Sequence, residues 1–347
     1  MVTKFNQFVA EAENKKPYKL VIFSHDDKDD PNETGALIRD KAEKLGIQTL
    51  LTEFIGLWIK EENNKLYVNS FLVDKKGEVE FPTGKDKETK YGKPFPIDPK
   101  DTLIMVRGLG TYGKSGNASW FDLTKDLEYR GFTVVNTTKC HDICANKFMS
   151  QIVLERHNIR TPKTVRISHV EGTDHALERL DVKFPIILKT INGSRGVGVV
   201  LVESAASLQS IVQLLYRENE FSDILLQENI KNDYDVRVIV VAGQVVGAMK
   251  RPVAKDDFRS NVSQGSEPTT HKLTSLEESE SLRVAELFEG KLVGVDFIPA
   301  KNREKDSPYF IEVNSSPGLI GIEKALKSEG SITEKVLKTF MNRDNWT

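Results

Sequence analysis

Two apolar runs in this 347-residue chain carry oxygen-bearing side chains where a plain strand would carry none. Lys291–Ile298 (KLVGVDFI) holds Asp296, and Tyr309–Asn314 (YFIEVN) holds Glu312 and Asn314. Strand side chains repeat with a period of two, so Glu312 and Asn314 share a face. Folded back across the charged connection 299–308, the two runs set Asp296 opposite the Ile311/Glu312 region. Two carboxylates and an amide oxygen converging there are hard donors that suit Mg²⁺, with phosphates and waters completing the octahedron.

A second group of residues points to those phosphates. Phe184–Lys189 and Val199–Val202 read as strands joined by a glycine-rich turn that contains Gly193, Ser194, Arg195, Gly196 and Gly198. Glycines let backbone N–H groups approach phosphate oxygens closely, and Lys189 adds a point charge at the strand end. No helix follows the turn, so it is neither a dinucleotide fingerprint nor a P-loop; a strand–loop–strand flap is the nearer arrangement. Further on, the apolar strand 224–227 runs into Glu228, Asn229 and Ile230, a connection whose main chain can read an adenine edge. There Glu228 or Asp235 is placed to bind a ribose hydroxyl. Arg259, within Asp257-Phe258-Arg259-Ser260-Asn261, offers a planar fork for phosphate or carboxylate.

The elements that must position these groups fall into two patterns. Strand 18–24, helix 33–45 and strand 47–51, then strand 102–106, helix 120–130 and strand 133–135, form the βαβ signature of a parallel sheet. Between them, 57–81 alternates in short β-like pieces, and 83–99 reads as an exposed loop. A helix is expected over 146–157. From 184 onward strands succeed one another through short turns (186–189, 199–202, 224–227, 236–241, 245–250), an antiparallel pattern with a helix at 206–216. A helix over 276–288 and the two oxygen-bearing strands are expected to close the fold. The division is an α/β domain over 1–138 with an insertion near 57–100, then a two-lobed α+β region over 139–225 and 226–347. Arg107 ends a parallel strand, where open α/β sheets place ligands, so it is a candidate clamp for a substrate carboxylate.

Composition narrows the class. Forty-nine Lys+Arg against 51 Asp+Glu leave a net charge of −2, without the basic excess that generic nucleic-acid binding draws on. No apolar run approaches the roughly 20 residues of a membrane span. Residues 1–16 read as a short amphipathic helix rather than a signal peptide. Cys140 and Cys144 are the only cysteines, and Cys140-His141-Asp142-Ile143-Cys144 fits no standard zinc spacing. A reducing, cytoplasmic setting is expected.

Taken together, Asp235-Val236-Arg237-Val238-Ile239-Val240, Asp257-Phe258-Arg259-Ser260-Asn261, Gly294-Val295-Asp296 and Glu312-Val313-Asn314-Ser315-Ser316-Pro317-Gly318-Leu319 resemble the ATP-grasp superfamily, and within it the RimK-type ligases. The resemblance runs from about 136 to 325, with a looser match before it. It implies a parallel α/β domain ahead of a two-lobed ATP-grasp domain with antiparallel sheets. It gives Lys147 and Lys189 to the nucleotide phosphates and makes the glycine-rich turn the flap. Glu228 and Asn229 become the adenine linker, with Asn229 where the ribosomal protein S6 modifying enzyme has an aromatic residue. Asp235 becomes a further nucleotide contact, and Arg259, Ser260 and Asn261 the triplet that reaches the phosphates. Asp296, Glu312 and Asn314 become ligands of Mg²⁺, two ions in number, with Mn²⁺ as a substitute.

The chemistry implied is ADP-forming ligation of a carboxylate to an amine through an acyl phosphate, with Arg259 steadying the transferring phosphoryl group. The expected partners are ATP, an amino acid such as glutamate, and a carboxylate acceptor, favoured as a peptide or protein C-terminus such as that of ribosomal protein S6. No membrane or generic nucleic-acid partner is expected, and family members often self-associate into homo-oligomers. Two other readings stay open: the same ligation onto a small metabolite, and a nucleotide-binding regulatory module without turnover.

Overall fold

The computed structural model describes residues 18–24, 33–53, 58–70, 92–107, 118–191, 198–218, 223–253 and 267–346. The helix expected within 1–16 lies outside them, as do Gly193, Ser194, Arg195, Gly196, Arg259, Ser260 and Asn261.

In the first part, β1 (Lys19–Ser24), α1 (Glu33–Lys44), β2 (Gln48–Glu53), β3 (Trp58–Glu62), β4 (Lys65–Asn69), β5 (Phe95–Ile97), β6 (Thr102–Val106), α2 (Ala118–Tyr129) and β7 (Thr133–Val135) follow in order. β1 and β6 are near-continuous apolar runs because both faces of their sheet are covered. The sheet order is β2-β1-β6-β7 with every pair parallel. The strand order reverses between β1 and β6, so the ligand-binding crevice of such a sheet opens beside Arg107. β3, β4 and β5 form a small antiparallel sheet whose Val68, Phe95 and Ile97 pack onto Val21, Phe23, Ile104 and Val106. The expectation of an exposed loop over 83–99 is therefore corrected at its end. Phe95 and Ile97 flank Pro96 at strand spacing and are buried, and the proline is tolerated because β5 is an edge strand.

Next come α3 (Thr138–Ala145) and α4 (Lys147–Arg156). The reading of one helix over 146–157 misses α3, whose N-cap Thr137 accepts from the Cys140 N–H. Asn146 then caps α4 by accepting from the N–H groups of Phe148 and Met149, so one polar residue ends one helix and starts another. Both helices pack through Cys140 and Leu154 against the large antiparallel sheet.

A compact lobe follows: β8 (Thr164–Ile167), α5 (Thr173–Leu180), β9 (Ile186–Thr190), β10 (Val199–Val202), α6 (Ala205–Glu218) and β11 (Ile224–Glu228). β8 and α5 were not expected from the sequence. The sheet order is β10-β9-β11-β8, antiparallel throughout, and its apolar residues form a cluster of their own with Ile167, Leu188, Val212 and Leu226.

The last part is built on β12 (Tyr234–Val241), β13 (Gln244–Pro252), β14 (Thr269–Thr270), α7 (Ser275–Leu287), β15 (Leu292–Ile298) and β16 (Tyr309–Asn314), in sheet order β14-β13-β12-β15-β16. The expected ending on two strands is corrected here as well. α8 (Ile320–Ala325) and α9 (Ile332–Met341) follow β16 and share one apolar cluster with β1 and α1, joining Ile332, Val336 and Phe340 to Leu20, Ile22 and Ile38. Lys41 of α1 also pairs with Glu334 of α9 at 3.2 Å. Among the described residues no helix is long and apolar enough to cross a membrane.

Candidate active site

The register of β15 on β16 sets Asp296 opposite Glu312 and Gly294 opposite Asn314. Residues directly opposite in an antiparallel pair project to the same face, so all three oxygen-bearing side chains gather on one side of the hairpin. A register shift between Asp296 and Phe297 falls at this point, where bulges characteristically re-aim a side chain. Glu312 is exposed and makes no hydrogen bond or ion pair among the described residues. Asn314 Oδ1 accepts from the Ser316 N–H at 2.8 Å, which fixes the amide and leaves that oxygen a second lone pair.

Asp296 is differently placed. It is 1% exposed and lies in an ion ladder across three strands. Arg237 of β12 donates to its two oxygens at 2.7 and 2.6 Å, and Arg251 of β13 adds a third bond at 2.8 Å. Arg251 also grips both oxygens of Asp235, at 2.6 and 2.8 Å. Burial pushes the Asp296 carboxyl upward, but Arg237 and Arg251 outweigh it and hold the group below the ordinary range. Burial likewise opposes the charge on Arg251, and the two aspartates override it. The ladder balances one buried and one half-buried cation against two buried anions, the condition under which such charges persist in an interior.

The lysines arrive from the other side. Lys189 lies one residue from the end of β9, opposite Val199 of β10, and Lys147 opens α4, its Nζ donating to Ile191 O at 3.2 Å. Burial lowers both, with Glu312 acting on each in the opposite sense; Lys189 falls to about 8, Lys147 adding to the drop. Glu312 thus lies within electrostatic reach of two desolvated ammonium groups that come from other elements. Gly198, where the strand resumes, has φ +78° and stands so close to Thr190 that a Cβ would lie 2.2 Å from its Oγ1. Only glycine fits that turn.

Glu228 ends β11, with its N–H donating to Lys163 O at 2.8 Å and its carboxylate accepting from the Lys163 N–H at 3.2 Å. Asn229 and Ile230 follow, half-buried, as the connection into β12. Asp235 is buried within the ion ladder, its carboxylate held by Arg251.

The turn after Asn314 is clasped from the first part of the chain. Asn136, at the end of β7, donates to Ser315 O at 2.6 Å and Leu292 O at 2.7 Å and accepts from the N–H groups of Lys291 and Leu292. His141 of α3 bonds Ser315 Oγ through Nδ1 at 2.8 Å. Arg107 donates to Pro317 O at 2.7 Å and Ser316 O at 3.5 Å. Gly294 lets Pro317 close on β15, since a Cβ there would lie 3.0 Å from the proline ring.

The structure therefore gathers Asp296, Glu312, Asn314, Lys147 and Lys189 and places Arg107 beside the turn that follows Asn314. Arg237, Arg251, Asn136 and His141 had no role in the sequence reading. Alternation in Asp235-Val236-Arg237 was the available signal for the first, because it puts opposite charges on one strand face. Among the described residues no three His, Cys, Asp or Glu side chains form a metal-holding group. A metal ion here would rely on Glu312, Asp296 and the Asn314 amide together with oxygens of a ligand, a donor set that fits Mg²⁺.

The model of the RimK-like ATP-grasp domain matches residues 144–339. A protein of Psychromonas ingrahamii named probable alpha-L-glutamate ligase is 33% identical over 205 residues, 58% of this chain and 66% of that protein, just under two thirds of its length. A protein of the same name from Marinomonas sp. is 31% identical over 248 residues, covering 70% of this chain and 77% of the relative. Among solved structures, a RimK domain ATP-grasp protein of Sphaerobacter thermophilus superposes with a TM-score of 0.59 at 16% identity, covering 93% of this chain and 99% of the other.

Proposed function

This chain belongs to the RimK-like ATP-grasp family, and on that premise we propose that it is an ATP-dependent, ADP-forming ligase that joins a carboxylate to an amine. The observation that carries the reading is Glu312, an exposed carboxylate without an ion pair among the described residues, facing the two desolvated lysines Lys147 and Lys189 beside Asp296 and Asn314. Such a site sets positive groups against negative ones, which suits phosphoryl transfer, where positioning and charge neutralisation dominate.

Lys147 and Lys189 would hold the polyphosphate, and Glu312, Asp296 and Asn314 the divalent ions. Bound Mg²⁺ would neutralise charge on the β- and γ-phosphates. A substrate carboxylate oxygen attacks the γ-phosphorus as the bond to ADP breaks; an amine then attacks the acyl carbon, phosphate leaves, and the amine loses its proton. Arg259, Ser260 and Asn261 are assigned to the transferring phosphoryl by the motif, and Glu228, Asn229 and Ile230 to the nucleoside side, while Asp235, which the motif also gives to the nucleotide, is buried with both oxygens held by Arg251 and braces that side from within. The amino acid is read as glutamate and the acceptor as a peptide or protein C-terminus, a reading supported by the names of the relatives.

The deciding experiment measures ADP release and intact-mass shifts with ATP, Mg²⁺, L-glutamate and a panel of acceptor peptides. Release that needs metal, amino acid and acceptor together, with a matching mass increment on the peptide, is expected. A protein that binds ATP but yields neither ADP nor product across the panel overturns the reading.

A further inference from the structure

Among the described residues, the arginines that enter the interior are paired with carboxylates, with one exception. Arg251 is held by two aspartates, Arg237 by one and Arg303 by Glu277. Arg107 is 5% exposed and has no carboxylate partner; among the described residues its guanidinium bonds only the carbonyls of Ser316 and Pro317, both through one terminal nitrogen. A buried guanidinium that lacks a counter-ion is costly, and a protein ordinarily supplies one. Burial alone lowers Arg107 to about 10, without any offsetting acidic group.

A second incomplete group adjoins it. His141 is 3% exposed; its Nδ1 bonds Ser315 Oγ, and its Nε2 is buried without a hydrogen-bond partner. Arg107 lies close enough to disfavour an imidazolium: burial first, then the Arg107 charge, brings the imidazole down to about 3. The ring is therefore neutral at physiological pH, and its unpartnered Nε2 carries the ring proton whenever the Ser315 hydroxyl donates to Nδ1. The indole of Trp120 stands edge-on to this ring, with centroids 6.3 Å apart. The place is the strand-order reversal of the parallel sheet, next to the turn that carries Asn314.

We propose that Arg107 and His141 form a subsite for a free carboxylate, the non-reacting carboxylate of the amino acid whose amine is ligated. The bound carboxylate supplies the counter-charge that the guanidinium lacks, the guanidinium offers it a planar fork, and the imidazole offers one neutral N–H. A carboxylate gripped in this way has its oxygens engaged and is a poor nucleophile, so the anchored group is not the one that attacks phosphorus. A polyphosphate is served elsewhere, by Lys147 and Lys189. The role given to the bound carboxylate rests on the ligase reading; the presence of an anion subsite does not.

The test separates the two. In the full chain, ¹⁵N spectra of the histidine rings are followed while acetate, acetamide, inorganic phosphate or L-glutamate is added. Acetate and L-glutamate are expected to shift the His141 resonances, while acetamide and phosphate are not. Arg107→Lys should weaken acetate and L-glutamate binding about tenfold or more, because the fork is lost while the charge stays. His141→Leu should weaken L-glutamate binding in calorimetry while the affinity for ADP with Mg²⁺ stays unchanged. Failure of both carboxylates to perturb His141 in the native protein overturns the subsite, as does an L-glutamate affinity indifferent to Arg107→Lys. A native protein that binds acetate at His141 yet ligates no amino acid keeps the subsite and counts against the ligase reading.

Discussion

Arg237 grips both oxygens of Asp296 from the neighbouring strand, at 2.7 and 2.6 Å, so the carboxylate at the centre of the candidate metal face already has a fixed orientation. Arg251 extends the arrangement to Asp235, and the four charges stand or fall together. Replacing Arg251 with Met leaves two buried carboxylates facing one guanidinium. A loss of about 3–5 kcal/mol in unfolding free energy is expected in urea titrations. A loss below about 1 kcal/mol, the range of surface pairs, would show that the ladder contributes little to the fold.

Lys189 gives a pH signature. A lysine whose pKa falls to about 8 is charged below that value and neutral above it. Affinity for ATP with Mg²⁺ is thus expected to be level up to about pH 7 and to weaken as pH rises through about 8. The Lys189→Arg protein remains charged and should stay level over the same range. Equal pH dependence in both proteins would remove Lys189 from the phosphate site.

Glu277 gives a second, acting on stability. The carboxylate is 1% exposed and is bonded by Arg303, His271 and the Thr274 N–H. Burial raises its pKa, but those partners prevail and bring it to about 2 from an ordinary 4.5. A depressed carboxyl stabilises the fold at pH above its unfolded value, and that contribution fades as pH falls from about 4.5 to about 2. The unfolding free energy of Glu277→Gln should lie below wild type at pH 7, by up to about 3 kcal/mol, and converge with it at the acid end. A gap that persists unchanged at pH 3 contradicts this.

Asn136 makes four hydrogen bonds that tie β7 to the start of β15 and to Ser315. Asn136→Ala strands buried backbone groups at both places, each worth about 1–3 kcal/mol. A marked drop in melting temperature is expected, and Asn136→Asp should only partly recover it, because it cannot donate to the two carbonyls. Full recovery by Asp would mean that only the accepting side matters.

Most of what was legible in the sequence was local. The parallel strands β1 and β6 show themselves as unbroken apolar runs, and the period-two placement of Asp296, Glu312 and Asn314 survives the folding almost unaltered. β8 was missed because Thr164–Ile167 is a four-residue strand of mixed character whose partner, β11, lies about 60 residues away. Arg251 and Arg237 look like ordinary surface cations until the register places carboxylates on both sides of them. His141 follows a cysteine in a run that invites a metal reading, and only the fold shows its ring turned to Ser315 and Arg107. Long-range pairing decided each of these, and no window of sequence contains it.

The separate apolar cluster of the lobe that carries Lys189 has a mechanical consequence. The parallel sheet and the large antiparallel sheet are fused through α1, α9 and Asn136, so Arg107 and Asn314 keep a fixed distance from each other. Among the described residues the Lys189 lobe has an apolar cluster of its own, and its chain enters and leaves through Lys163 and Glu228, where the Glu228 N–H donates to Lys163 O and the Lys163 N–H donates to the Glu228 carboxylate. A two-stranded neck of this kind bends far more easily than it stretches. Bending at that neck would carry Lys189 while leaving Arg107 and Asn314 in place.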